Sequence, residues 1–203
     1  MSKSYSKRKS KEYTNQSKTK VENDSIKDLL IQAIEQHRRG VEGDKEAVQR
    51  AYELLERARS LEPENLLAEA YYGSTTALIG RDAIDPMERI KKATGGLKIL
   101  DKAVAKDPEN VDIRILRAYV SYRLPENFFH RTATAVEDFN YLITRYELDS
   151  DLFSGGFYEQ LLYDLGMCYK RLERKREAEE TWQKLLSKTK NSKYIDLLRQ
   201  EVF

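Results

Sequence analysis

The stretch Leu162–Tyr169, which reads LYDLGMCY, decides the fold of this chain. Its apolar residues recur three and four positions apart, which is the spacing of one face of an α-helix. A second helical pattern follows, beginning with Ala178 and Trp182. Small residues let two helix backbones approach closely, and a large side chain fills the space around them. The pattern therefore predicts two antiparallel helices in close contact, with Gly166 facing Ala178.

Two earlier segments repeat one order of small and large residues. Each contains a small residue, then a leucine, an alanine and a proline at identical spacings. The residues are Ala51, Leu55, Ala58 and Pro63 in the first segment and Gly96, Leu100, Ala103 and Pro108 in the second. We expect each proline in the first turn of the next helix, where its missing N–H group costs nothing.

Composition favours an all-helical protein in a reducing compartment. Charged residues make up 34% of the 203 residues, and there are only four prolines and nine glycines. Cys168 is the single cysteine, so an intrachain disulfide is excluded. No apolar run approaches the roughly 18 residues that span a bilayer, and the basic N-terminus lacks the apolar run of a secretory signal. These observations predict a soluble, cytoplasmic protein.

The N-terminal segment is basic, whereas the rest of the chain is mildly acidic. Residues 1–20 contain seven Lys or Arg and one acid, a charge of +6, while the whole chain carries +2 and the later residues therefore −4. Residues 1–23 have almost nothing to bury and are predicted to be a disordered tail. The tail is either a solubilising segment or a contact with nucleic acid, a ribosome or an anionic surface. In the second case Tyr5 and Tyr13 could stack on bases.

The remaining chain predicts helices in pairs. Residues 24–190 form the predicted helical domain, and residues 191–203 form an amphipathic helix that caps the apolar end of the stack. Ser154-Gly155-Gly156 is interpreted as a linker between helices. Leu124–His130 interrupts the pattern, and the repeated spacing does not explain it.

The repeated pattern resembles the tetratricopeptide repeat family, whose unit is a helix-turn-helix of about 34 residues. The fourth helix pair matches best, and its matching residues are Leu165, Gly166, Tyr169, Ala178 and Trp182. The first two pairs match at their second helices and following prolines. The resemblance implies an all-α, right-handed superhelical array of about four antiparallel helix pairs, a tetratricopeptide-like solenoid, plus the C-terminal capping helix.

The same resemblance implies a non-enzymatic scaffold or adaptor that binds a peptide or helix of another protein. Ligands of this family lie along the concave face made by the first helices. In the fourth pair that face would hold Gln160, Tyr163, Met167, Lys170 and Arg171. One subclass grips a C-terminal carboxylate with Lys and Asn on successive first helices. The first helices of the first two pairs contain no Asn, which disfavours that ligand.

No catalytic, cofactor or metal constellation is evident in the sequence. His37 and His130 lie far apart and are predicted to be surface or loop residues. Cys168 has apolar neighbours and is predicted to be a packed thiol rather than a nucleophile. Thr94-Gly95-Gly96-Leu97 lacks the spacing and lysine of a phosphate loop, and close helix packing explains it. No cofactor or metal is therefore expected, and neither is an enzymatic activity.

Overall fold

A computed structural model describes residues 26–202 of the chain. Within this range all regular structure is helical, which confirms the predicted all-α fold class. The helices are residues 26–41 (α1), Lys45–Leu61 (α2), Leu66–Asp82 (α3), Pro86–Lys106 (α4), Val111–Arg123 (α5), Glu126–Phe129 (α6), Thr132–Leu148 (α7), Gly155–Arg171 (α8), Lys175–Lys188 (α9) and Ser192–Val202 (α10). The predicted disordered tail, residues 1–23, lies outside the described residues.

Side-chain caps set the starts of four long helices. Asp44, Asn65, Asn110 and Ser154 each precede a helix and accept a hydrogen bond from the backbone N–H three residues later. Each cap satisfies one of the donors that a helix N-terminus leaves unpaired. The linker interpretation of Ser154-Gly155-Gly156 is therefore wrong, because Ser154 is the cap of α8 and the two glycines are its first residues.

The predicted position of the two prolines is also wrong. Pro63 and Pro108 lie in turns before the helices, and α3 and α5 begin only after the caps Asn65 and Asn110. In both turns the Asn side chain also donates a hydrogen bond to the acid that precedes the proline, Glu62 at 2.9 Å and Asp107 at 3.0 Å. Because each Asn makes two hydrogen bonds as the N-cap residue, the helix begins after the Asn. The proline, two residues earlier, is therefore left in the turn.

The described residues divide into two compact units on either side of a boundary between Gly96 and Leu97, inside α4. In the first unit the core consists mainly of alanines and leucines from α1, α2 and α3, including Leu29, Ala33, Ala51, Leu55, Ala58 and Ala68. Gly96 lies against α3 so closely that a Cβ there would be 2.4 Å from the carbonyl oxygen of Gly73. Gly80, further along α3, is close to Ala93, which shows that α3 and α4 run antiparallel.

The second unit has one continuous core formed by α5, α7, α8, α9 and α10. Its fully buried side chains include Phe139, Leu142, Leu161, Leu162, Leu185 and Leu198. Burial of each such side chain stabilises the fold by about 1.5–3 kcal/mol. The C-terminal helix α10 contributes Tyr194 and Leu198 to this core. The boundaries predicted at residues 23 and 190 stay predictions.

The residues of the repeated pattern are buried except for the two prolines. The buried members are Ala51, Leu55, Ala58, Gly96, Leu100, Ala103, Leu165, Gly166, Tyr169, Ala178 and Trp182. The predicted contact between Gly166 and Ala178 is wrong in its partner. The atoms nearest to a Cβ on Gly166 belong to the indole of Trp182, at 2.0–2.5 Å. Gly166 is small because the Trp182 ring lies flush against its backbone.

The segment Leu124–His130 contains the one-turn helix α6 and caps the next helix. The Glu126 carboxylate accepts a hydrogen bond from the Thr132 backbone N–H at 2.8 Å, at the start of α7. His130 ends α6 in the left-handed conformation, with φ of 51°. Arg131, at the N-cap position of α7, makes no side-chain capping bond. The Glu126 carboxylate takes over that role.

Candidate protein-interaction face

The five residues predicted to bind a partner lie along one side of α8, where two of them, Tyr163 and Met167, also pack against the edge of the core. We call them the α8 face: Gln160, Tyr163, Met167, Lys170 and Arg171. The first three are half-buried and the last two are exposed. Leu161, Leu165 and Cys168 on the other side are buried in the core. The structure thus arranges the five side chains as one surface strip, and their role in binding stays a prediction.

A buried carboxylate organises the polar groups behind this strip. Asp164 is only 3% exposed and accepts a hydrogen bond from Gln160 Nε2 at 2.9 Å. The hydroxyl groups of Tyr119 and Tyr122 on α5 face this carboxyl and act to lower its pKa. Tyr194 of α10 completes the set by donating to Gln160 Oε1 at 2.9 Å. We call these five residues the Asp164 cluster, and they join three helices of the second unit.

The titration behaviour of the Asp164 cluster keeps its tyrosines protonated. Burial raises the pKa of the Tyr119 and Tyr122 hydroxyls, so both remain hydrogen-bond donors at neutral pH. Burial also raises the pKa of the Asp164 carboxyl, and the Gln160 hydrogen bond, the two tyrosine hydroxyls and the charge of Arg123 oppose that rise. Edge contacts with the buried Phe139 hold both phenol rings in fixed orientations.

Two arginines border the tyrosines at the C-terminal ends of α5 and α8. The guanidinium carbon of Arg123 lies 5.8 Å from the ring centroid of Tyr119, and that of Arg171 lies 5.1 Å from the ring centroid of Tyr122. Arg171 Nη1 also donates to the backbone carbonyl of Tyr122 at 2.7 Å. Cations are favourable over aromatic faces and at helix C-termini. The arrangement can therefore present positive charge beside aromatic surface.

Four residues of this region were not predicted from the sequence: Tyr119, Tyr122, Asp164 and Tyr194. The tyrosines looked like ordinary packing groups with polar tips. Asp164 did carry a signal, since it stands inside the otherwise apolar stretch Leu162–Tyr169. A buried acid needs a donor, and Gln160 lies one helical turn earlier in the sequence.

A second polar cluster joins α5 to α7 in the same unit. Asp138 is fully buried and accepts hydrogen bonds at 2.7 Å from Arg114 Nη1, Arg117 Nε and Arg117 Nη2. Glu137 and Asp101 lie at its edge and accept from the same arginines or from Arg131. Positive and negative charges balance, and the Asp138 oxygens are paired. We assign this cluster to holding the helix pair together, because removing one member of a buried ion pair typically costs about 3–5 kcal/mol.

In the first unit, α1 and α2 border an open groove of about 520 Å³. It is lined by Ile31, Gln32, Glu35, Gln36, Arg50, Glu53, Leu54 and Arg57. Ile31 is 57% exposed, and the charged residues are evenly divided in sign. The groove therefore has apolar character without a charge preference.

The two histidines and the single cysteine differ in their burial. The prediction that His37 is a surface or loop residue is wrong, because the side chain is buried and its Nε2 lies 2.8 Å from Ser74 Oγ. His130 is exposed at the end of α6, as predicted. Cys168 is a packed thiol, as predicted, and burial raises its pKa to about 12. A thiol of this kind is a poor nucleophile at neutral pH.

Two kinds of site are absent from residues 26–202. No group of three or more His, Cys, Asp or Glu side chains in this range could hold a metal ion. None of the helices that the structure describes is both long enough and apolar enough to cross a membrane.

No protein-family model matches the chain, and no curated protein matches it. Similar solved structures include MamA of AMB-1, with 19% identity over 68% of each chain and a TM-score of 0.45. MamA from residue 41 onward, from Desulfovibrio magneticus RS-1, is 16% identical over 87% of this chain and 93% of its own, with a TM-score of 0.47. TTC0263, a thermophilic TPR protein of Thermus thermophilus, is 15% identical over 83% of this chain and 97% of its own, with a TM-score of 0.45.

Proposed function

We propose that this protein is a non-enzymatic scaffold or adaptor that binds a peptide or helix of another protein on the α8 face. The observation that supports the proposal is the pairing of that strip with the Asp164 cluster beneath it. Tyr163 and Met167 offer half-buried apolar surface, while Gln160 and Arg171 supply polar groups at either end. Fixed aromatic and apolar surface loses little conformational entropy when a partner binds.

The proposal is tested by affinity capture of partner proteins with the full chain. Tyr163→Ser combined with Met167→Ser removes the apolar centre of the α8 face. Glu179→Ser combined with Gln183→Ser makes two changes on the exposed side of α9 in the same unit and serves as the control. A protein that wild type and control retain equally should be retained at least about tenfold less by the Tyr163/Met167 variant, a loss of about 1.4 kcal/mol.

Equal capture by all three proteins would contradict the assignment of the binding surface. Far-ultraviolet circular dichroism is recorded for each variant, so that a loss of binding is compared only between equally helical proteins.

We place the adaptor in the cytoplasm, because its single cysteine is typical of a protein from a reducing compartment.

A second candidate function is nucleic-acid or ribosome association through the basic tail. The observation that favours it is the charge of +6 on residues 1–20. Binding of single-stranded RNA by the full chain should then weaken steeply with salt, because each neutralised phosphate releases counterions. Deletion of residues 1–23 should abolish this binding. Binding that survives the deletion, or is absent at low salt, would exclude the tail as a nucleic-acid contact.

A further inference from the structure

We infer that the partner segment is an acidic peptide whose carboxylates dock at Arg123 and Arg171, next to an apolar residue that packs on Tyr163 and Met167. This inference rests on the proposed function and adds the chemistry of the partner. It follows from the charge, orientation and spacing of side chains in the second unit.

The two arginines lie at neighbouring helix ends. Arg123 ends α5 and Arg171 ends α8, and the bond from Arg171 to the Tyr122 carbonyl brings these two helix ends together. Both guanidinium groups lie over tyrosine rings of α5. The side chains are thereby held at one edge of the unit, and both residues are exposed there.

Both arginines keep hydrogen-bond donors that the protein does not use. A guanidinium group has five N–H donors, and one of those on Arg171 is used by the Tyr122 carbonyl. Within residues 26–202, neither Arg123 nor Arg171 forms an ion pair with a carboxylate. The nearby Glu126 carboxylate instead receives the Thr132 backbone N–H. The Asp164 carboxylate attracts Arg123 electrostatically but forms no direct ion pair with it. Guanidinium forks without a bonded carboxylate match the geometry of Asp, Glu or a chain-terminal carboxylate.

Charge distinguishes an acidic peptide from other occupants of this surface. Residues 1–20 carry +6, so the chain's own tail has the same sign as the two arginines and is repelled by them. A nucleic acid requires a track of cations along its backbone, whereas the chain after Lys20 carries −4 in total. Two arginines beside apolar surface fit a short acidic stretch with one bulky side chain.

The separation of the apolar residues from Arg171 along α8 sets the spacing of the partner peptide. Tyr163 and Arg171 are two turns of α8 apart, which is about 12 Å at 1.5 Å per residue. An extended peptide covers that distance in about four residues at roughly 3.3 Å each. The inferred partner therefore carries a large apolar residue about four positions from its acidic residues.

The experiment measures binding of synthetic 12-residue peptides to the full chain by calorimetry at low salt. The test peptide has one Leu four positions from a Glu-Glu pair in a Gly-Ser background. Two matched peptides replace the Glu pair by Gln-Gln or by Lys-Lys. We expect the Glu peptide to bind at least about fivefold more tightly than the Gln peptide, and the Lys peptide to bind most weakly.

The protein variants assign this preference to the two arginines. Arg123→Gln with Arg171→Gln should weaken binding of the Glu peptide at least about tenfold. Arg123→Lys with Arg171→Lys should recover only part of the affinity, because the charge is kept but the fork that binds a carboxylate at two points is lost. Arg145→Gln with Arg176→Gln removes two exposed positive charges from α7 and α9 of the same unit, and binding should change less than about twofold. The Lys pair also controls for the lost Arg171 bond to α5.

The outcomes separate this inference from the proposed function. Equal binding of the Glu and Gln peptides, with both lost in the Tyr163/Met167 variant, would overturn the acidic partner and leave the scaffold proposal standing. Absence of binding by every peptide, or an equal loss in the Arg145/Arg176 control, would also overturn the inference. Single-stranded RNA of 12 nucleotides that binds more tightly than the Glu peptide, through the same two arginines, would replace the peptide by a nucleic acid.

Discussion

Gly96 and Gly166 show two different uses of one sequence feature, a glycine inside a helix at a helix contact. A Cβ on Gly96 would lie 2.4 Å from the Gly73 carbonyl oxygen and 3.0 Å from the Ala77 nitrogen, both backbone atoms of α3. A Cβ on Gly166 would lie 2.0 Å from Trp182 Nε1, a side-chain atom of α9. In one case two backbones meet, and in the other a backbone receives an aromatic ring. The comparison teaches that a small residue predicts closeness without identifying what comes close.

The largest expected effect belongs to Trp182→Ala, which removes the ring from the second contact. Trp182 is 2% exposed, and its Nε1 donates to the Tyr163 carbonyl at 3.4 Å. Loss of the ring leaves a cavity, and substitutions of this size typically cost about 3–5 kcal/mol. Urea unfolding followed by circular dichroism measures the loss. A cost below about 1 kcal/mol would show that the ring does not fill this contact.

Gly96→Ala should have the next largest effect, because its Cβ meets backbone atoms that cannot rotate away. Helix α3 must move as a unit, and we expect a cost near the upper end of the roughly 1–3 kcal/mol typical of overpacking. Urea unfolding monitored by circular dichroism is again the measurement. An unchanged or increased unfolding free energy would contradict the backbone contact between α3 and α4.

Gly166→Ala should cost somewhat less, about 1–2 kcal/mol, because a side chain can shift more readily than a helix backbone. Trp182 is the single tryptophan, so its fluorescence should report the shift directly. In a Trp182→Ala background the same substitution should lose its cost, since the opposing ring is gone. Equal costs in the two backgrounds would show that Gly166 is constrained by something other than the indole.

Gly95→Ala is the smallest expected effect and has the opposite sign. Gly95 is the neighbour of Gly96 in α4, but a Cβ there meets nothing within 4 Å. Ala is a better helix former than Gly by about 1 kcal/mol, so the unfolding free energy should rise by up to that amount. The two adjacent glycines thus form a matched pair for thermal and urea unfolding. If Gly95→Ala and Gly96→Ala both lower the unfolding free energy, the cost arises within helix α4 itself and not from its contact with α3.

Much of the fold was predictable because helices depend on local information. The apolar spacing of Leu162, Leu165 and Tyr169 and the small-large order of Ala51 and Leu55 identify faces that must be buried. The turns were less predictable, since a proline and an Asn compete for the start of a helix in both Pro63–Asn65 and Pro108–Asn110. In each case the helix begins after the Asn, because the Asn side chain caps the helix and also donates a hydrogen bond to the preceding acid.

The candidate face was predictable only in part. The order of residues along α8 placed Gln160, Tyr163 and Arg171 on one strip, because a helix has a fixed period. Tyr122 contributes to the same region from α5, 42 to 49 residues earlier in the chain than Asp164 and Arg171. No local period connects these positions, and they meet only when α5 packs beside α8.

By itself, the sequence determined the helical class, the buried stripes and the charge difference between the tail and the later chain, because these follow from spacing and composition. The tertiary structure alone decided the partners of the buried polar groups. His37 bonds Ser74, Asp138 bonds two arginines and Asp164 faces two tyrosines, and each pairing joins different helices. A polar side chain in an amphipathic pattern is expected on the solvent side. Only the packing of another helix against it supplies the donors that make its burial stable.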